Sequence, residues 1–205
     1  MPPETISIAE ARRIMLTAQG LAHGLAQPPP RKAEKADVLA MIRRMNLLQI
    51  DTINVIARSP YLVLWSRLGD YPPAWVDELL EEGALFEYWA HALCFLPIED
   101  FPLYRRRMLD GVRGWGDTDE WIRQHAGTVA MILQRIREEG GLRSADFKND
   151  HHPAGGWWNW KEEKTALEVL FIRGDLMSAR RQRFQRVYDL PERVLPGWED
   201  GPEYA

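Results

Sequence analysis

The sequence predicts a mainly helical α+β chain with small β-hairpins, on three observations. Apolar residues recur at helical spacing in most segments, glycines and prolines close those segments, and clear alternation appears only once, late in the chain, around an arginine-rich turn. With 205 residues, 45% of them apolar, the chain is long enough to bury a proper core.

In chain order, Ser7 caps a first helix that runs to Gln19, where Ile8, Ala11, Met15 and Ala18 repeat at helical spacing and Glu10 stands three residues after the cap. Gly20 and Gly24 close it, and Pro28-Pro29-Pro30 is a stiff connector. Val38, Met41, Ile42 and Met45 stripe a second helix over Glu34–Asn46, which hands into a short strand at Gln49–Asp51. Ser59-Pro60 starts a short helix that Gly69 caps after Leu68, and Pro72-Pro73 opens another over Trp75–Glu82. Ala84–Leu96, aromatic and apolar throughout, reads as one buried strand, and a basic helix follows over Glu99–Met108. Gly111, Gly114, Gly116 and Asp117 form a turn-rich linker. The boundary placed there separates a first unit at 5–112 from a second at 118–196, followed by an acidic tail at 197–205.

The second unit holds a helix over Thr128–Glu139, a stop at Gly140-Gly141, a short turn at Ala145–Lys148, a loop at His151–Gly156 and a helix over Trp160–Arg173. Beyond Gly174, Leu176, Ser178 and Arg180 fall on one face of a strand and Met177, Ala179 and Arg181 on the other, with a return through Phe184–Leu190. Helices followed by an arginine-bearing hairpin are the order of a winged helix, the helix-turn-helix variant whose third helix can enter a major groove. Arg180, Arg181, Arg183 and Arg186, with no acidic residue among them, are expected to contact DNA phosphates or a minor groove, helped by Lys161 and Lys164 near the start of the preceding helix. A solvated arginine turn, or a winged helix used for protein contacts, is the alternative.

Composition narrows the rest. A net charge of -4 argues against nucleic-acid binding by bulk electrostatics, so any basic surface has to be local. The single Cys94 excludes an intrachain disulfide or a multi-thiolate zinc site and reads as a small core residue. His151-His152 lack a well-spaced third ligand, so neither a metal nor a cofactor is expected. No apolar stretch approaches the roughly 20 residues that span a bilayer, and a soluble cytoplasmic protein is expected. Trp157-Trp158-Asn159-Trp160 suits base stacking or core packing, and core packing is the commoner use.

Chemistry enters at Leu47-Leu48-Gln49-Ile50-Asp51-Thr52-Ile53, where an amide and a carboxylate stand two residues apart in an apolar run. On a strand such side chains leave the same face and can meet one ligand. An amide positions water and a carboxylate activates it; a hydrogen-bonded structural pair on a strand edge is the competing reading.

The run continues as Arg58-Ser59-Pro60-Tyr61-Leu62-Val63-Leu64-Trp65-Ser66-Arg67-Leu68-Gly69, then Leu85-Phe86-Glu87-Tyr88-Trp89-Ala90-His91, and ends in Tyr188-Asp189-Leu190-Pro191-Glu192-Arg193-Val194-Leu195-Pro196. Nearly the whole chain thereby resembles the amino-terminal half of the crosslink-repair DNA glycosylases of the YcaQ/AlkZ type. The resemblance implies tandem winged-helix units and hydrolysis of the N-glycosidic bond of alkylated or crosslinked bases in double-stranded DNA, with no cofactor. The family's signature is a glutamine, an apolar residue, then glutamine or aspartate, and Gln49-Ile50-Asp51 matches the aspartate form. Asp51 would stabilise the charge that builds on the sugar and deprotonate water, with Gln49 orienting that water. Arg58, Tyr61 and His91 fall in the matching motifs and are expected to face DNA; for His91 the residues alone allow a general base, a phosphate contact or, most commonly, a satisfied core histidine, and the resemblance implies the phosphate contact. Similar proteins are longer and carry a further winged helix and a carboxy-terminal domain. This implies a truncated member, half of a split protein for which a separate chain would supply the missing carboxy-terminal half, or a divergent member, associated with the nucleoid. From the residues alone, a non-catalytic winged-helix regulator or a protein-interaction module stays open, but neither explains an acid beside the path of DNA.

Overall fold

Ser7 opens α1 (Ile8–Ala18) with a reciprocal cap: its hydroxyl accepts the Glu10 N–H at 3.2 Å and its own N–H donates to the Glu10 carboxylate at 2.8 Å. The computed structural model describes residues 5–22, 31–111, 116–147 and 162–204. Pro28-Pro29-Pro30, His151-His152, the Trp157–Trp160 cluster and Lys161 lie outside the described residues. Helix α2 (Lys35–Met45) buries Val38 and Ile42 and ends at Asn46, whose φ of 64° is a left-handed conformation that asparagine tolerates. The chain turns there into β1 (Leu48–Gln49). Helix α3 (Ser59–Leu68) carries Pro60 in its first turn, and α4 (Ala74–Glu81) turns Val76, Leu79 and Leu80 inward. Their apolar faces close the smaller of two cores over Leu48, Ile50, Leu85 and Phe95.

The segment expected as one strand is two. β2 (Leu85–Trp89) and β3 (Leu93–Pro97) pair antiparallel from Leu85 opposite Pro97 to Trp89 opposite Leu93, around a turn in which the Ala90 N–H donates to the Ala92 carbonyl at 2.9 Å. Both strands are buried nearly throughout, so the sequence shows no alternation on either side, and the lone His91 is the only polar residue that marks the turn. β1 joins the free edge of β3, Leu48 opposite Phe95, to give the order β1-β3-β2.

After α5 (Phe101–Asp110), α6 (Thr118–Gln124) and α7 (Ala126–Glu139), Leu142 makes an isolated bridge to Tyr188. A 3-10 turn at Ser144–Asp146, α8 (Glu162–Arg173) and the hairpin β4 (Met177–Gln182)–β5 (Gln185–Asp189) follow, then α9 (Pro191–Val194). Among the described residues, both halves place a helix, a short extended segment and then a hairpin in that order, with two helices before the first hairpin and α8 before the second, and in both the short segment pairs with the hairpin's second strand.

The larger core draws on both sides of the expected boundary, joining Phe86, Tyr88 and Met108 to Ile132, Leu167 and Phe171. The Tyr88 hydroxyl donates to the Ile172 carbonyl across it. The two segments expected as separate units therefore share one core. The acidic tail is fastened too: the Trp198 ring meets Phe101 edge-on at 4.9 Å, Asp200 pairs with Arg105, and the Tyr204 hydroxyl donates to the Pro102 carbonyl at 3.2 Å.

A carboxylate lies at the junction. Glu87 points from β2 into the body with its side chain 0% exposed, and Arg181 of β4, 5% exposed, grips it through Nε at 2.7 Å and Nη2 at 2.8 Å. Ser178 Oγ adds a third bond at 3.1 Å. Simple alternation puts Ser178 and Arg181 on opposite faces. A register shift between Ser178 and Arg180 lets both reach Glu87.

Arg181→Met leaves a buried charge without its main partner and should cost about 3–5 kcal/mol in urea unfolding, whereas exposed Arg180→Ala should stay within about 0.5 kcal/mol of wild type. Asp77 of α4 is shifted up by burial, opposed by Arg181 and reinforced by Glu87, and among the described residues its Oδ1 is buried with no hydrogen-bond partner. Its raised pKa makes the folded state hold this proton more tightly than the unfolded state. Stability should therefore decline as pH rises out of the ordinary carboxylate range through the raised value. Asp77→Asn should raise Tm at neutral pH and flatten that decline in thermal melts.

Candidate active site

Extended backbone continues one residue past β1, where the Ile50 N–H donates to the Leu93 carbonyl at 2.8 Å. Leu48 and Ile50 are buried; Gln49, exposed, and Asp51, half-buried, take the alternate positions away from the core. The sequence predicted a strand through Asp51, but the paired strand ends at Gln49 and Asp51 does not extend the ladder. Its Oδ1 accepts the Ile53 N–H at 2.8 Å, because a short polar side chain competes with sheet pairing for nearby amides.

That turn opens a loop that Arg58 closes. Arg58 Nη1 donates to the Thr52 carbonyl at 2.7 Å, its backbone bridges Asn54, and its guanidinium carbon lies 3.8 Å from the centre of the Phe184 ring. The loop's crown is apolar and outside the core: Val55 is 88% and Ile56 91% exposed. Asp51, Ile53, Val55, Ile56, Leu62 and Ser66 border a concavity of about 460 Å3 between loop and α3.

Pairing of β1 with β3 sets Gln49 opposite Cys94 and brings the β2–β3 turn alongside. His91 in that turn is exposed, with Nε2 3.0 Å from Gln49 Oε1. An Nε2–H tautomer donates to the amide oxygen, which leaves the Gln49 NH2 as a donor toward solvent.

A family model for the DNA glycosylase AlkZ-like proteins matches residues 42–205. The chain belongs to the AlkZ-like DNA glycosylase family. The match begins inside α2 and takes in β1, the loop and both hairpins. No solved structure matches the chain. Family membership makes DNA the partner and DNA repair the setting. Among the described residues, no helix is long and apolar enough to cross a membrane.

In this AlkZ-like chain the expected DNA contacts separate. Arg180 and Arg183 of the β4–β5 hairpin are exposed, as is Lys164 on α8. Arg181 and Arg186 face inward: Arg181 holds Glu87, and Arg186 binds Glu168 through Nη1 at 3.1 Å and Nη2 at 2.8 Å beside the Tyr188 hydroxyl. Both were expected at phosphates; the structure instead pairs their guanidiniums with interior acids. Arg58 is engaged by Thr52 and Phe184, and Tyr61 is half-buried against the smaller core, where burial raises its hydroxyl pKa. Both lie beside the concavity and neither borders it.

Sequence reasoning missed Glu87 and Phe184. The signal for Glu87 was present, because a lone acid in Leu85-Phe86-Glu87-Tyr88-Trp89 needs a buried cation, and four arginines without an acid among them are the obvious source. Asp51→Asn keeps an acceptor for the Ile53 amide and should leave proteolysis of the loop unchanged. Asp51→Ala, which removes that acceptor, should speed nicking at residues 52–57 in a timed digest.

Proposed function

We propose that the protein hydrolyses the N-glycosidic bond of alkylated bases in duplex DNA, bases joined in interstrand crosslinks included, and that its two helix-and-hairpin segments act as tandem winged helices. One arrangement supports this reading above all: an amide and a carboxylate at alternate positions of one extended segment, both outside the core, with the carboxylate bordering a concavity.

A base alkylated at a ring nitrogen is already cationic and departs without a strong general acid. Positive charge then builds on the deoxyribose as the bond lengthens, and a nearby carboxylate stabilises it. Asp51 Oδ1 is held by the Ile53 amide, so Oδ2 takes the water proton in this assignment. The water oxygen accepts from the Gln49 NH2, whose orientation His91 fixes through the amide oxygen. As the C–O bond forms, the C–N bond breaks, and its electron pair leaves with the base and neutralises it. Arg180, Arg183 and Lys164 supply phosphate contacts on a protein of net charge -4, so binding is local and strongly salt-dependent.

The test is base release from a duplex carrying one N7-alkylated guanine, read as strand breaks after alkali under single-turnover conditions. Asp51→Asn should slow release by about 10²-fold to 10⁴-fold, and Gln49→Ala by less. Wild type that binds the duplex yet releases no more base than buffer, or Asp51→Asn that keeps its rate, would overturn the assignment.

A further inference from the structure

We infer that the tip of the β4–β5 hairpin braces the catalytic loop, with Phe184 the positioning residue through which the second half of the chain holds Asp51. The inference rests on the glycosylase reading of Asp51 given above.

Its first ground is the tip's backbone. Arg183 and Phe184 form the two-residue turn with φ of 49° and 66°, left-handed values that such hairpins normally give to asparagine and glycine. A bulky aromatic side chain adopts that conformation only where its surroundings impose it. Here they do. The Phe184 ring has the Arg58 guanidinium carbon 3.8 Å from its centre and that of Arg181 at 4.6 Å, and the Phe184 carbonyl accepts from Arg181 Nη1 at 2.7 Å. Arg181 is itself clamped by Glu87.

The second ground is what Arg58 does at its other edge. Its bond to the Thr52 carbonyl and the Asn54–Arg58 bridge close the loop that begins at Asp51. Val55 and Ile56, at the crown, are outside the core and cannot anchor it. Glu87, Arg181, Phe184, Arg58 and Thr52 thus form one line of contacts from the buried junction to the residue after the carboxylate. Without the ring, Arg58 can swing into solvent and the Thr52 carbonyl loses its donor. Asp51 then shifts relative to Gln49, and a displacement of about 1 Å at a reacting group costs about 10²-fold in rate.

Phe184→Gly tests this directly, because glycine suits the left-handed turn and removes only the ring, while Phe184→Tyr keeps the ring. The readouts are single-turnover base release, duplex affinity, the thermal melt, and hydrogen exchange at the Ile53 amide, whose acceptor is Asp51. Phe184→Gly should keep a cooperative melt, lowered by the loss of the ring's packing on the smaller core, and bind duplex as wild type, yet release base about 10-fold to 10²-fold more slowly and exchange the Ile53 amide faster. Phe184→Tyr should restore both. Arg58→Lys, which keeps the charge and loses the flat fork, should reproduce the faster exchange. Unchanged exchange in Phe184→Gly overturns the brace, as does weakened duplex affinity with an unchanged rate once bound, which would make the tip a DNA contact. If wild type itself releases no base, the glycosylase reading falls, and the exchange of Ile53 in wild type against Phe184→Gly still judges the brace.

Discussion

A carboxylate shut away from water has to be answered by a cation, and the answer given to Glu87 organises this chain. β2 is buried nearly throughout, so its one acid faces the body and Arg181 must come to it. Reaching it takes a register shift in β4, which turns Ser178 and Arg181 to the same carboxylate. The second hairpin is thereby docked against the first, and its tip is carried to the loop after β1. Such a pair adds little net stability compared with well-packed apolar residues, but it penalises any arrangement that leaves either charge unmatched. Its contribution here is orientation.

That choice also divides the arginines. Two of the four in the hairpin neutralise interior acids, Glu87 and Glu168, and two remain on the surface. A chain of net charge -4 accordingly keeps only a narrow basic surface at this hairpin, while the candidate chemistry relies on a carboxylate that phosphate would repel. In the proposed reaction that acid is favoured because positive charge develops beside it, at the sugar of a departing cationic base.

Much of this was legible in the sequence because it was periodic. The capping box at Ser7 and Glu10, the stripe of Val38 and Ile42, and the glycine stops at Gly69 and Gly140 gave helices close to their observed limits. The turn at Ala90–Ala92 was hidden because residues buried on both faces show no alternation to interrupt. Gln49 and Asp51 stood out as polar residues in an apolar run. Their supports did not, since His91 is 42 positions from Gln49 and Phe184 is far from Arg58, and such contacts are made by strand pairing and hairpin docking. The direction of an arginine is equally invisible until its carboxylate is placed in space.

The central claim, that the carboxylate of Asp51 performs the chemistry and the second hairpin acts only by holding it, is tested most directly by a double-mutant cycle on base release. If the claim holds, Asp51→Asn combined with Phe184→Gly should be as slow as Asp51→Asn alone and no slower, because a brace has no effect once the group it positions is gone. Rate losses that multiply in the double variant would contradict it, showing that Phe184 acts on the reaction by a route that does not pass through Asp51.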